Sequence, residues 1–256
     1  MNASIDNVYA IILAAGASSR MGSSKQLLEW RNRPLLEHAV LNVRAILHER
    51  VIVVLGAHAE SIQAAIDLDA VTSIVNPDWQ EGMASSIRAG IRALPGSAAA
   101  ALILLCDQPL INAAHIQNLL NGWQSAPTQI VASQYHHSIG VPALFPAEFF
   151  EHLLTLKGDR GAKPLLIKFE KSLLKIPLPE AELDIDNAQD FDYLTGHFPG
   201  PGQTNLVVRN LYGQEVISDR YDKSLDVSGL PAGMYIIEVK NTDTGIQFTG
   251  KLVITR

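Results

Sequence analysis

The feature that most constrains this chain is an alternation near its start. Short apolar, largely β-branched runs are separated by stretches whose apolar residues recur every three or four positions. The runs at 8–13, 51–55, 71–75 and 101–105 have strand length and stay apolar throughout, so both faces of each strand must be covered. Between them Leu35, Leu36, Ala39, Val40, Val43 and Leu47 fall at helical spacing, and so do Ala84, Ile87, Ile91 and Leu94. Strands that alternate with helices pair in parallel through crossovers, which predicts a three-layer α/β domain with a mostly parallel sheet.

From 129 onward the pattern loosens, with strands at 129–133 and 141–145 and helices near 148–156, 162–169 and 188–195. The sheet is therefore expected to be mixed at this edge. Alternating prolines and glycines at 199–202 cannot continue a helix or a central strand. This predicts a first domain at 1–198, a linker at 199–205 and a second domain at 206–256. Runs at 206–211, 214–221, 233–240 and 247–254, separated by turn signals, read as a small all-β antiparallel unit. It contains no His, no Cys and no glycine-rich phosphate loop, so the chemistry is expected in the first domain.

Composition excludes several function classes. A net charge of −6 argues against the broad basic surface that a nucleic-acid partner needs. The single cysteine, Cys106, permits no intramolecular disulfide and suggests no structural zinc site, which points to a reducing, cytoplasmic home. Cys106 reads as a small buried filler rather than a nucleophile. The apolar run at 8–15 follows Asp6 rather than a basic region and breaks at Gly16, so it reads as neither a signal peptide nor a membrane span.

Three segments carry chemistry. The first is LAAGASSRMGSSKQLL at 13–28, a small-residue loop at the end of the first strand, where backbone N–H groups can close on an anion. Leu13, Ala14, Ala15, Gly16 and Ser18 would line it, and Arg20 and Lys25 are placed to neutralise a triphosphate and stabilise departing pyrophosphate. It matches neither the P-loop nor the dinucleotide-binding glycine pattern, and a solvated loop with two surface cations is the bland alternative. The second is CDQP at 106–109, where Asp107 stands just where a strand must end and can hold Mg²⁺ against nucleotide phosphates. A capping aspartate is the alternative there. The third is DIDNAQDF at 184–191: alternation puts Asp184 and Asp186 on opposite faces, and Asp186 is taken as the second Mg²⁺ ligand. An acidic helix start explains Asp190 better than it explains Asp186.

Together with NPDWQEGMASS at 76–86, GVPALF at 140–145 and GDRGAK at 158–163, these motifs make residues 8–196 resemble the nucleotidyltransferases of molybdenum cofactor maturation, and more narrowly the cytidylyltransferases. The resemblance implies a glycosyltransferase-A-like fold, a nucleoside triphosphate on the first loop, and Gly82, Ser85 and Ser86 near its base or ribose. It implies CTP and molybdopterin as substrates, with a molybdoenzyme or a molybdenum-insertion protein as partner. Guanylyl-transferring relatives look like LAGG where this chain has LAAG, and PALF at 142–145 also favours cytidine. Gly158, Arg160 and Lys163, at a predicted helix start, would suit an anionic pterin phosphate; a turn with exposed charges is the alternative. Transfer to a sugar or polyol phosphate is the rival enzymatic reading. Residues 204–256, with LPAGMY at 230–235, resemble a type IX secretion sorting domain, which raises a non-enzymatic reading as surface cargo or a binding module.

Overall fold

The computed structural model describes residues 4–18, 21–136, 138–198, 204–220, 225, 227–241 and 247–255. The chain divides into two compact units, one of residues 1–29 and 33–187, the other of residues 30–32 and 188–256. The proposed linker residues 199–203 lie outside the described residues.

In the first unit seven strands form one sheet: β1 (Val8–Ala14), β4 (Val51–Leu55), β5 (Thr72–Val75), β6 (Ala100–Leu105), β7 (Val131–Tyr135), β8 (Ser138–Pro146) and β9 (Leu174–Pro177). Their order is β5-β4-β1-β6-β8-β7-β9. The first four are mutually parallel, whereas β8 is antiparallel to both β6 and β7 and β9 returns parallel to β7. A two-stranded hairpin, β2 (Glu29–Trp30) with β3 (Arg33–Pro34), precedes the first long helix.

Alternation along β1 shows why three layers are needed. Val8, Ala10, Ile12 and Ala14 join a core with α1 (Leu35–Leu47), α2 (Ala59–Ala65) and α4 (Ala113–Ser125), through Leu36, Val40, Ile62, Ile116 and Trp123. Ile11 and Leu13 join the opposite core with α3 (Met83–Arg92), α5 (Phe150–Leu154) and α6 (Lys163–Lys168), through Ile87, Ile91, Leu153 and Leu166. Every residue of β4 is buried, as a strand covered on both faces requires. Glycine at 90 lets α3 lie close on the sheet, because a Cβ there would collide with Ile11.

The expected α/β domain with a mixed edge is present. Two details differ. The stretch at 148–156 forms only a 3₁₀ turn, Ala147–Phe149, followed by the short α5. The strand β9 was not anticipated; it is half-buried and ends at Pro177, so its apolar alternation is weak and its pairing with β7 supplies the order.

The second unit holds α7 (Ala188–His197) and a four-stranded antiparallel sheet, in the order β11-β10-β12-β13, of β10 (Thr204–Asn210), β11 (Glu215–Arg220), β12 (Gly233–Asn241) and β13 (Gln247–Ile254). Leu206, Val208, Leu230 and Tyr235 form its buried core, and the Tyr235 hydroxyl donates to the Pro231 carbonyl at 3.0 Å. No described helix is long and apolar enough to cross a membrane.

Candidate functional site

Parallel pairing of β1 with β6 sets Leu13 beside Leu105, so the loop after β1 and the turn after β6 leave the sheet on the same edge. Cys106 N–H donates to the Leu13 carbonyl at 3.3 Å and carries the register into that turn. The turn ends at Asn112, whose side chain caps α4 by accepting from Ala114 N–H and His115 N–H. Ile185 N–H donates to the Asp107 carbonyl at 3.0 Å, which brings the acidic segment 184–186 to the same edge.

The loop is shaped from inside by Gln26, which is buried. Its amide donates to the carbonyls of Ala14 (2.9 Å) and Gly16 (3.0 Å), while its oxygen accepts from the Ser24 hydroxyl at 2.8 Å. The Ser18 hydroxyl accepts from Lys25 N–H at 3.0 Å, so Ser18 supports the loop's form. His58 Nε2 lies 3.0 Å from the Ala17 carbonyl and holds the loop from β4's side. Nothing is described of Arg20, which lies outside the described residues.

A cavity of about 510 Å³ opens at this edge. Leu13, Ala14, Ala15, Gly16, Lys25, Gly82, Ser86, Asp107 and Asp186 line it, together with Gln26, Trp79, Gln80, Met83 and Asp159. Ser85 stands behind this lining: buried, it donates to the Gly82 carbonyl at 2.8 Å and accepts from the Asn76 amide at 2.8 Å. The Asn76 amide also reaches the Ser86 hydroxyl at 3.1 Å, so one buried amide fixes the first turn of α3. Gly158, Arg160 and Lys163 do not line the cavity; the Lys163 ammonium donates to the Ser138 hydroxyl at 3.2 Å. From that loop it is Asp159 that faces in. Gly82 has φ +111, and a Cβ there would collide with the Asp159 carboxylate and stand 2.7 Å from the Gly158 carbonyl carbon, so this crossing requires glycine.

Of the charged groups that line the cavity, three meet one another. Lys25 Nζ forms an ion pair with Asp107 Oδ2 and lies 3.3 Å from Asp186 Oδ1. Burial alone would lower the Lys25 pKa, but the charge of Asp107 and its hydrogen bond outweigh that and raise it, so the lysine stays charged. Asp184 packs behind. Burial, then repulsion from Asp107, raises its pKa from the ordinary 3.8 to about 7, against a lowering hydrogen bond from Gln108. Burial likewise raises the Cys106 thiol, which leaves it protonated and unreactive.

Asp107 Oδ1 is buried with no hydrogen-bond partner among the described residues, an arrangement that suits a cation ligand. No described group of three or more His, Cys, Asp or Glu side chains could hold a metal by itself. Two carboxylates completed by phosphate oxygens are what Mg²⁺ or Mn²⁺ accepts, and Asp107 and Asp186 fit that set.

Gln26, Asn76, Trp79 and Asp159 all lie inside the motifs of the resemblance, but the sequence gives none of them an individual role. A buried glutamine inside a small-residue loop carries no pattern of its own. Asn76, which directly follows β5, was the one legible sign.

The model of the MobA-like NTP transferase domain family matches residues 10–173, and that of the secretion system C-terminal sorting domain matches residues 191–255. Nicotine blue oxidoreductase of Paenarthrobacter nicotinovorans is 32% identical over 175 residues, covering 62% of this chain and 81% of that protein. The bifunctional protein GlmU of Rubrobacter xylanophilus is 31% identical over 121 residues, covering 46% of this chain and 25% of GlmU, so the match spans about a quarter of that relative. The crystal structure of Rv0371c from Mycobacterium tuberculosis aligns with a TM-score of 0.66 at 28% identity, covering 73% of this chain and 97% of that one. The same protein in complex with manganese aligns at 0.63 and 26% identity, with 73% and 97% covered.

Proposed function

Because the chain belongs to the MobA-like NTP transferase domain family, we propose that it transfers CMP from CTP to the phosphate of molybdopterin, with Mg²⁺ and release of pyrophosphate. One observation carries the reading: a lysine and two carboxylates from three distant segments meet at the sheet's carboxyl edge, beside a loop built to close on an anion. In open α/β sheets that edge is where ligands bind.

In this reaction an acceptor phosphate oxygen attacks the α-phosphorus and the bond to pyrophosphate breaks in line. A phosphomonoester has its second pKa near about 6, so the nucleophile is already largely dianionic at neutral pH and no general base is required. The work left to the protein is placement and charge neutralisation. The loop amides and Lys25 would hold the β- and γ-phosphates and stabilise charge moving onto the leaving group. Asp107 and Asp186 would hold the divalent ion, which supplies charge neutralisation at the phosphate oxygens. Ser86 and Gly82 border the part of the cavity assigned to the nucleoside.

Cytidine is supported by Ala15, a residue of the cavity lining where the guanylyl-transferring pattern carries glycine. The manganese complex of the similar Rv0371c supports a divalent ion. We place the activity in the cytosol; cell fractionation checks this, since export directed by the C-terminal unit would put the protein at the surface.

The relative named as an oxidoreductase favours a second reading, in which the same cavity serves a redox reaction. The charged cluster favours nucleotidyl transfer, since a carboxylate pair facing a lysine matches triphosphate and metal. The deciding assay measures pyrophosphate release with Mg²⁺ and each ribonucleoside triphosphate, with and without molybdenum-loaded molybdopterin, alongside oxidation of NADH and NADPH. Acceptor-dependent release with CTP alone is expected. Release with GTP alone would reassign the base, and nicotinamide oxidation without any pyrophosphate would sink the transferase reading.

A further inference from the structure

Lys25 occupies the space between the two carboxylates assigned to the metal. Its ammonium is ion-paired to Asp107 Oδ2 and stands 3.3 Å from Asp186 Oδ1. The side chains of Lys25 and Asp107 are only 16% and 10% exposed, so water screens this contact weakly. Two carboxylates drawn to one point repel each other unless a cation lies between them. Asp107 Oδ1, the oxygen the lysine does not use, is buried without a hydrogen-bond partner among the described residues. The lysine is anchored at its backbone, where its N–H is held by Ser18, while its four-carbon stem leaves the ammonium free to swing.

We infer that Lys25 is the resident counter-ion of the divalent-metal site, holding Asp107 and Asp186 together in the metal-free chain and giving up those contacts when the ion enters. The inference rests on the assignment of Asp107 and Asp186 as the ligand pair proposed above. It gives Lys25 a role before any substrate is bound. A divalent ion arriving alone must displace an attached ammonium, so it binds weakly. Arriving triphosphate oxygens offer that ammonium a new anion, so nucleotide and metal each strengthen the other's binding by the same factor.

The test uses the full chain, Mn²⁺ alone as probe, and no nucleotide or acceptor, with free Mn²⁺ read by electron paramagnetic resonance. Lys25→Met and Lys25→Gln are expected to bind Mn²⁺ at least about tenfold more tightly than the parent chain, the scale of losing one close like-charge contact. Lys175→Met removes the same charge from a lysine paired instead with Glu170 at 2.7 Å, and its Mn²⁺ affinity is expected to stay within about twofold of the parent. Unchanged or weaker binding in both Lys25 variants, or tightening matched by Lys175→Met, overturns the inference. Adding Asp107→Asn to Lys25→Met should abolish the gain. If the gain survives, the ion sits elsewhere and the ligand assignment itself falls, and the counter-ion role with it. No arm depends on which nucleotide or acceptor the enzyme uses, so failure here is separable from failure of the cytidylyl reading.

Discussion

In the first unit the buried polar side chains Gln26, Asn76, Asp107 and Gln108 follow the carboxyl ends of β1, β5 and β6, Ser85 and Ser86 open α3, and Ser133 lies within β7, where it donates to the Pro142 carbonyl. In the second unit the described core of the sheet is Leu206, Val208, Leu230 and Tyr235, while Leu211, Tyr212, Val216, Met234 and Val253 are exposed. A seven-stranded sheet covered on both faces buries enough apolar surface to carry partly desolvated amides and carboxylates at one edge, each held by partners. The four-stranded sheet buries fewer apolar side chains among its described residues and so offers less support for such groups. The preorganised polar cluster belongs to the first unit, and the second carries the sorting-domain match.

Substitutions can break that contrast. The largest effect should come from the charged cluster: Asp107→Ala and Lys25→Ala are each expected to lower kcat for pyrophosphate release by at least about a hundredfold, the scale of losing a preorganised electrostatic contact. Circular dichroism confirms that the fold persists, and near-parental turnover in a folded variant removes that residue from the mechanism.

Next comes the core that supports the cluster. Phe145 is fully buried, and Phe145→Ala should cost about 3–5 kcal/mol in denaturant unfolding. In the second unit Val253 is 60% exposed, and Val253→Thr should stay within about 0.5 kcal/mol. Comparable losses at both positions would show that the second unit is packed as tightly as the first.

Gly82→Ala should act on the cavity more than on the fold. Strain at φ +111 is on the order of 1–3 kcal/mol, and the new methyl must push Asp159 and the loop behind it away. A rise in KM for nucleotide or acceptor is expected, with most of the thermal stability retained. Unaltered kinetics would show that the crossing of Gly82 and Asp159 does not shape the substrate site.

The smallest effect concerns Cys106. Burial raises its thiol, so below about pH 9 the native chain should react with a disulfide reagent far more slowly than the chain in denaturant. Rapid labelling of the native chain would mean that the turn holding Asp107 opens readily.

Much of the first unit was legible because parallel strands buried on both faces are written as unbroken apolar runs: 51–55 coincides with β4, and 101–105 falls one residue short of β6. The edges were less legible. α4 is fixed by an Asn112 cap that accepts from two backbone N–H groups, and β9 draws its order from β7. Among the site residues, Asp107 and Lys25 are readable because a carboxylate at a strand tip and a cation in a small-residue loop each have a local rationale. Asp159 and Gln26 have none.

What the sequence determined by itself is therefore local and periodic: the α/β character, the anion-closing loop, the carboxylate after β6 and the change to antiparallel strands beyond the glycines and prolines. What only the tertiary structure decided is which of these meet. Lys25, Asp107 and Asp186 lie up to 161 positions apart, and their convergence follows from the pairing of β1 with β6 and from the Ile185 bond to the Asp107 carbonyl. Register and chain reversal are global properties of the packed sheet, set by burial summed over many residues, so no short window of sequence contains them.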